Sequence, residues 1–88
     1  MGLSLGKYVN YRVKVKMKDG RWMEGTMLSV DEDVNVVLDD SEEFRNARGS
    51  KEPRRRVLGL VMARGDFVMD IEILSKPEKG EMELQQNL

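Results

Sequence analysis

The chain has 88 residues, no cysteine, no histidine and a formal net charge of −1, and this length fits one small domain. The missing residue types exclude disulfides, a Cys/His zinc site and catalysis by a serine–histidine or cysteine–histidine pair. Since no apolar run approaches the ~20 residues of a membrane span and residues 1–8 are too few for a signal peptide, we expect a soluble intracellular domain that gains stability by oligomerising.

The near-zero net charge conceals four blocks of alternating sign. Residues 1–30 sum to +4, residues 31–44 to −7, residues 45–64 to +6 and residues 65–88 to −4. Segregated charge sets local fields that steer ligands and pair subunits. The alternative interpretation is the ordinary charged surface of a soluble domain, and both stay open at this stage.

The first half of the chain predicts three strands. Residues 11–18 alternate apolar and cationic side chains, which is typical of a half-buried strand whose lysines face solvent, and the Asp19-Gly20 dipeptide predicts a tight turn after it. The second strand covers residues 21–30, with Gly25 at a bend or a close approach of two backbones. The third strand covers residues 34–38.

The second half predicts a long loop and two more strands. Residues 41–53 are polar and form the longest internal loop. Residues 56–62 form an apolar strand with a bend at Gly59, and residues 64–66 form a tight turn before a fifth strand over 67–74. A short helix is expected over residues 3–9, and residues 75–88 are expected to be a flexible polar tail, partly helical from Glu81 onward.

These elements predict a mainly β fold, a small and strongly bent five-stranded antiparallel barrel with a short N-terminal helix. Such a barrel leaves edge strands if it does not close completely. The apolar edge at residues 57–62 would be an aggregation hazard unless another chain pairs with it. Edge-to-edge pairing between copies or relatives would bury the edge and add stability.

Residues 11–74 contain two motifs, separated by a charged loop of residues 41–53. The first motif reads Val13-x-Val15-x-Met17-x-Asp19-Gly20-Arg21-x-x-x-Gly25-x-Met27-x-x-Val30-Asp31-x-x-Val34-Asn35-x-x-Leu38. The second motif reads Arg56-Val57-Leu58-Gly59-Leu60-Val61-Met62-Ala63-Arg64-Gly65-Asp66. In this order the two motifs resemble those of the Sm and Sm-like (LSm) family. Within that family, the segments most similar to the eukaryotic B-type (B/B′/N) members are YRVKVKMKDGR, DDSEEFR and RRVLGLVMARG.

The resemblance implies an Sm domain over residues 1–74, an OB- and Src-homology-like barrel. It is divided into a helix (3–10), a first motif (11–40), a variable loop (41–53) and a second motif (54–74). The resemblance also implies a ring, usually of seven subunits, in which the fourth strand of one subunit pairs with the fifth strand of the next.

The implied function is that of a non-enzymatic subunit that binds uridine-rich single-stranded RNA in the core of spliceosomal small nuclear ribonucleoproteins. Its neighbours would be two D-type subunits, and its location the nucleus after cytoplasmic assembly. A cytoplasmic, homo-oligomeric archaeal-type protein and, with less support, a protein-binding small barrel are the alternatives. No membrane partner, cofactor or metal is expected.

The resemblance assigns RNA binding to the turns that end the two motifs. Asn35 offers one acceptor and two donors, which suit a uracil edge, and Arg64 can stack on a base and sit near phosphate. Gly65 would let the backbone approach the base, and Asp31 would orient the turn by accepting hydrogen bonds. For Asp31 and Asn35 the alternative is ordinary turn chemistry.

Asp33 departs from the family pattern, since this position commonly holds an aromatic residue, histidine or methionine that stacks under the base. Its negative charge is expected to weaken the pocket.

Two further groups are assigned on the same resemblance. The predicted ring-interface residues are Val57, Leu58, Leu60, Met62, Phe67, Met69 and Ile71. Arginines that would contact flanking RNA phosphates are Arg45, Arg48, Arg54 and Arg55, with Arg56 beside them. A solvated loop, or pairing with acids of a neighbouring subunit, explains these arginines equally well.

Core or interface packing is expected of Trp22, Met23, Met27 and Phe67. No catalytic residue is expected, because adjacent acids in turns lack the burial and the partner that would separate their pKa values.

Overall fold

The computed structural model describes residues 2–77 of the chain, so the tail predicted for residues 75–88 lies outside the described residues from position 78 onward. A 3-10 helix (Gly2–Tyr8) precedes the strands β1 (Arg12–Met17), β2 (Trp22–Val30), β3 (Val36–Arg45), β4 (Arg54–Ala63) and β5 (Val68–Ser75), with a 3-10 turn at Gly65–Phe67 before β5. Within residues 2–77, no helix has the length and apolar character needed to cross a membrane.

The five strands form one antiparallel sheet in the order β4-β3-β2-β1-β5. This confirms the predicted bent antiparallel architecture and the short helical segment at the N-terminus. β4 and β5 lie at opposite edges of the sheet, so in the described chain each has one side without a strand partner. The apolar β4 strand is therefore an edge strand, as the sequence predicted.

The core follows the alternation that the sequence shows in β1 and β2. Fully or nearly fully buried hydrophobic side chains come from β1, β2, β3 and the end of β4: Val13, Val15, Met17, Met23, Met27, Val36, Leu38 and Ala63. The intervening β1 lysines face outward, where Lys14 lies 4.9 Å from the Trp22 ring centroid and Lys16 pairs with Glu72 at 3.7 Å. Each buried valine, leucine or methionine side chain contributes about 1.5–3 kcal/mol relative to exposure.

Three small residues on neighbouring strands allow the sheet to bend. A Cβ at Gly25 would lie 2.8 Å from the Ser41 Cβ, so β2 and β3 approach each other more closely there than a side chain permits. The Ser41 hydroxyl is buried and donates to the Gly59 carbonyl at 2.5 Å, and Gly59 has a φ of +74°, which favours glycine. The bends predicted at Gly25 and Gly59 are both present.

The predicted loop over residues 41–53 is wrong in its first part, because β3 continues to Arg45. Asp40 has a φ of +50° and the strand register shifts beside it, so a bulge separates the apolar half of β3 from a polar half. After the bulge Ser41 and Glu43 face inward and are buried. The Glu43 carboxylate accepts a hydrogen bond from Arg21 at 2.9 Å and lies 3.3 Å from Arg56. These two guanidinium groups compensate the negative charge of the buried carboxylate.

β1 and β2 each begin one residue later than predicted, and the starts of β3, β4 and β5 differ for identifiable reasons. β3 begins at Val36 rather than residue 34, because Val34 has a φ of +63° and cannot continue a strand. β4 begins at Arg54 rather than residue 56, since Arg54 and Arg55 pair with Arg45 and Phe44 of the longer β3. β5 begins at Val68 because the 3-10 turn occupies residues up to 67.

Trp22 lies on the outer face of the sheet and not in the core. Its ring stacks on Phe44 with a centroid distance of 5.6 Å and an interplanar angle of 9°, and its indole N–H donates to Glu24 at 3.2 Å. Met23 and Met27 are in the core as predicted, whereas Phe67 is 53% exposed.

The close approach at Gly25 predicts a strong difference between two glycine substitutions. Gly25→Ala should lower the free energy of unfolding by about 1–3 kcal/mol, because the new Cβ overlaps Ser41 and the backbone must shift. Gly6→Ala is the control, since a Cβ at Gly6 meets nothing within 4 Å and should change stability by less than about 0.5 kcal/mol. Urea denaturation of both variants at one protein concentration gives the comparison; equal effects would contradict the bend described here.

Candidate nucleic-acid interface

The loop between β2 and β3 is organised around the carboxylate of Asp31. Its Oδ1 accepts hydrogen bonds from the backbone N–H groups of Asp33 and Asn35, both at 2.9 Å, and its Oδ2 accepts from the Asn35 side-chain amide at 2.9 Å. One carboxylate thus fixes both the backbone of the loop and the side chain of Asn35.

These hydrogen bonds favour the ionised form of Asp31. The side-chain amide of Asn35, followed by the backbone N–H of Asn35, lowers the pKa of Asp31 below the ordinary value of an aspartate. A lowered folded-state pKa contributes stability that is present above the pKa of the unfolded side chain, ~3.9, and is lost as the pH falls through the folded value. At neutral pH the loop is therefore held by a full negative charge.

Val34 occupies a backbone conformation that its side chain disfavours. Its φ is +63°, although a β-branched residue is rarely found in the left-handed region. Its N–H donates to the Asp31 carbonyl at 3.0 Å, and the Asp31 N–H donates to the Asn35 carbonyl at 3.2 Å. The hydrogen bonds around Asp31 hold this strained turn in place.

The second loop, at residues 64–66, is joined to the first through Asn35. The Asn35 Oδ1 accepts a hydrogen bond from the Gly65 N–H at 2.7 Å, across 30 positions of sequence. A Cβ at Gly65 would overlap the carbonyl oxygen of Asp33, so the two backbones touch at this point. Residues 31–35 and 64–66 therefore form one unit, called here the paired loops.

The structure shows a close approach at Gly65 to another part of the same chain. The volume that a Cβ would need at Gly65 is occupied by the carbonyl of Asp33, and the predicted approach of this backbone to a base stays a prediction. Only the three-dimensional pairing of the loops reveals this contact, because the two residues are far apart in the chain. The glycine is needed for the loops to fit together.

The paired loops carry one cation among four acids. Arg64 is exposed, lies 3.4 Å from the Asp66 carboxylate and stands 5.6 Å from the Phe67 ring centroid. Asp31, Glu32, Asp33 and Asp66 are all exposed. An exposed ion pair such as Arg64–Asp66 is weak, so the guanidinium remains able to contact another group.

The arginines predicted to contact flanking RNA lie around the other end of β4, not beside Arg64. Arg55 pairs with Glu42 at 2.6 Å and Arg56 with Glu43 at 3.3 Å, so both bind acids of β3 in their own chain. Arg45, Arg48 and Arg54 are exposed. The structure thus places Arg45, Arg54 and Arg55 at the opposite end of β4 from Arg64 and gives Arg55 and Arg56 an acidic partner within the same sheet. Arg56 nevertheless lines one cavity together with Arg64.

The residues predicted for the ring interface lie on the two edges of the sheet. Five of them are more than half exposed: Val57, Leu60, Met62, Phe67 and Met69. The other two, Leu58 and Ile71, are half-buried and pack against the core of their own chain. Within residues 2–77, the edges therefore present apolar side chains together with backbone groups that no strand pairs.

No group of three or more acidic side chains in residues 2–77 is arranged to hold a metal ion. The paired loops offer hydrogen bonding through Asn35 and the backbone, together with stacking and ion pairing through Arg64. These are the interactions by which proteins bind single-stranded nucleic acids.

A model of the LSM domain matches residues 3–73 of the chain. Among relatives, small nuclear ribonucleoprotein-associated protein B of Dictyostelium discoideum is 40% identical over 74 residues, 81% of this chain and 27% of that protein. The human U6 snRNA-associated Sm-like protein LSm8 is 34% identical over 86 residues, 96% of this chain and 86% of that protein. A Danio rerio protein named N-alpha-acetyltransferase 38, NatC auxiliary subunit, is 37% identical over 70 residues, 78% of this chain and 64% of that protein.

Among solved structures, a heptameric archaeal Sm protein has a TM-score of 0.68 at 29% identity, covering 83% of this chain and 98% of that one. The Pyrococcus abyssi Sm protein in complex with a uridine heptamer has a TM-score of 0.70 at 25% identity, covering 84% of this chain and 99% of that one. The chain spans about a quarter of the Dictyostelium protein and just under two thirds of the zebrafish protein.

The carboxylate network predicts that the pKa of Asp31 depends on Asn35. Asn35→Ala should raise the pKa of Asp31 towards that of an unfolded aspartate, because it removes the largest cause of the lowering. NMR titration of the side-chain carboxyl carbons measures this directly. Asp19 is an internal control, since its pKa is lowered by the backbone N–H of Arg21 and should stay unchanged in the variant. An unchanged Asp31 pKa would mean that the amide does not hold this loop.

Proposed function

The chain belongs to the Sm and Sm-like family, and we propose that it is a non-enzymatic subunit of an Sm-type ring that binds uridine-rich single-stranded RNA. The observation that carries this proposal is the hydrogen bond between Asn35 and Gly65, which makes one binding surface out of two loops. The heptameric archaeal relative and the relative in complex with a uridine heptamer support the same assignment.

The proposed contacts follow from what remains free on Asn35 and Arg64. Asn35 uses one acceptor site for Gly65 and one N–H for Asp31, which leaves one acceptor site and one N–H for a base edge. Uracil presents both acceptors and a donor on its edge, so it suits this pair. The planar guanidinium of Arg64 would stack on the base or lie against phosphate.

The proposed ring forms by pairing of the two edges of the sheet. β4 and β5 each have a side without a strand partner in the described chain, and both carry exposed apolar side chains such as Leu60 and Met69. Pairing β4 of one subunit with β5 of the next would satisfy the backbone groups and bury these side chains.

We further propose the assembly that the B-type resemblance implies. This is a heteroheptamer with two D-type neighbours, bound to uridine-rich small nuclear RNA and acting in pre-mRNA splicing in the nucleus. The relatives named small nuclear ribonucleoprotein-associated protein B and U6 snRNA-associated Sm-like protein LSm8 support it. An archaeal-type homo-oligomer with the same RNA chemistry is the alternative assembly. In either ring, exposed Arg45, Arg48 and Arg54 would add salt-dependent phosphate contacts.

A second candidate function is that of a protein-binding subunit of a larger complex. The acidic character of the paired loops favours it, because Asp33 and its neighbours oppose an anionic ligand. The similarity to the zebrafish NatC auxiliary subunit is consistent with this candidate. A measurement of RNA binding by the assembled protein distinguishes the two candidate functions, because only the first requires it.

The experiment that tests the proposed function measures binding of fluorescent heptauridine to the ring, whose composition is first established by native mass spectrometry. We expect salt-dependent binding that weakens about tenfold or more in Arg64→Ala, since loss of one base stack costs about 1–3 kcal/mol. Lys14→Ala is the control, because Lys14 also carries one positive charge but packs on Trp22 at the outer face. No binding by the wild-type ring would overturn RNA binding and favour the protein-binding function.

The unusual residue at position 33 gives a separate prediction. Asp33→His should strengthen binding of heptauridine to the assembled ring, because an imidazole can stack under a base and the substitution removes a negative charge. Asp33→Asn removes the charge without adding a ring, so its affinity should fall between those of wild type and Asp33→His. A filter-binding titration in which Asp33→His loses affinity would contradict a position beside the RNA.

A further inference from the structure

The aromatic ring of Phe67 lies against the guanidinium of Arg64. The central guanidinium carbon stands 5.6 Å from the ring centroid, within the distance of about 6 Å over which an aromatic face attracts a cation. The Arg64 side chain is nevertheless 62% exposed, so most of its surface stays open to a ligand. The cation of the paired loops is therefore in contact with an aromatic ring of its own chain.

The backbone of the 3-10 turn at Gly65–Phe67 fixes this contact. The Phe67 N–H donates to the Arg64 carbonyl at 2.9 Å, and the Phe67 carbonyl accepts from the Lys18 N–H at 2.8 Å. Residues i and i+3 eclipse each other in 3-10 geometry, which brings the side chains of residues 64 and 67 to the same side of the turn. Phe67 is thereby anchored both to Arg64 and to the turn between β1 and β2.

The ion pair of Arg64 with Asp66 restrains the guanidinium less. The two groups are 3.4 Å apart, but both side chains are mostly exposed, and exposed ion pairs are weak. An aromatic ring attracts a planar guanidinium from one side and leaves the opposite side free. An arginine that is held in this way before a ligand binds loses less conformational freedom on binding.

We infer that Phe67 is a positioning residue for RNA binding, which holds the Arg64 guanidinium so that its open side can stack on a base. This inference rests on the proposed RNA-binding function, in which Arg64 makes the stacking contact. It gives a role at the paired loops to a side chain for which the sequence predicted core or interface packing.

The test is a double-mutant cycle between Arg64 and Phe67, measured as binding of fluorescent heptauridine to the ring at constant salt. Phe67→Leu keeps an apolar side chain and should weaken binding about threefold, as the loss of one exposed cation–π contact would allow. Phe67→Tyr keeps the aromatic face and should bind like the wild type. In the Arg64→Ala background, Phe67→Leu should have no further effect, because no guanidinium remains to be held.

A matched variant and a spectroscopic readout separate positioning from packing. Met62→Leu changes another exposed apolar side chain that lines the same cavity as Arg64 and Phe67, and it should leave the affinity unchanged. In NMR spectra of the RNA-free protein, the ring current of Phe67 should shift the Arg64 δ-methylene protons. This shift should disappear in Phe67→Leu and persist in Phe67→Tyr.

Several outcomes would overturn the inference while leaving RNA binding by the wild-type ring intact. They are wild-type affinity in Phe67→Leu, the same threefold loss in the Arg64→Ala background, an unchanged Arg64 proton shift, or failure of the Phe67→Leu chain to assemble in native mass spectrometry. The last result would assign Phe67 to the ring interface. Absence of heptauridine binding by the wild-type ring would instead overturn the proposed function, and this inference with it.

Discussion

The hydrogen bond from the Gly65 N–H to the Asn35 side chain is the interaction on which the candidate site depends. It spans 2.7 Å and joins two loops that are separated by two strands in sequence. A single hydrogen bond contributes only about 1 kcal/mol to stability, but this one is supported from both sides. The Asp31 carboxylate fixes Asn35, and the missing side chain at Gly65 lets the Asp33 carbonyl approach. Without either support the two loops would be separate turns.

The fold was predictable from the sequence where the alternation of apolar and polar side chains marked a strand and a glycine marked a bend. Alternation in β1 indicated its buried face, and Gly25 and Gly59 marked the bends that the sheet contains. The second half of β3 was not predictable, because its inward residues Ser41 and Glu43 are polar and resemble a loop. Their burial depends on a bulge at Asp40 and on arginines from β2 and β4, which are contacts that no local pattern records.

The residues of the candidate site were predictable as members of two motifs, but their relationship was not. The sequence indicated Asp31, Asn35 and Gly65 separately, whereas the contact of Gly65 with Asp33 exists only once the strands are assembled. The strained backbone of Val34 was equally hidden, since a valine gives no sign of a left-handed φ. The ion pairs of Arg55 and Arg56 with β3 were equally unpredictable, because the sequence around their acidic partners Glu42 and Glu43 is typical of a loop.

Amide hydrogen exchange at Gly65 tests the central claim that the paired loops form one unit. If the Asn35 side chain holds the Gly65 N–H, this amide exchanges slowly in the wild-type chain and at a near-unprotected rate in Asn35→Ala, while amides of β1 and β2 keep their protection. Rapid exchange at Gly65 in the wild-type chain, or protection that is unchanged in Asn35→Ala, would contradict the account.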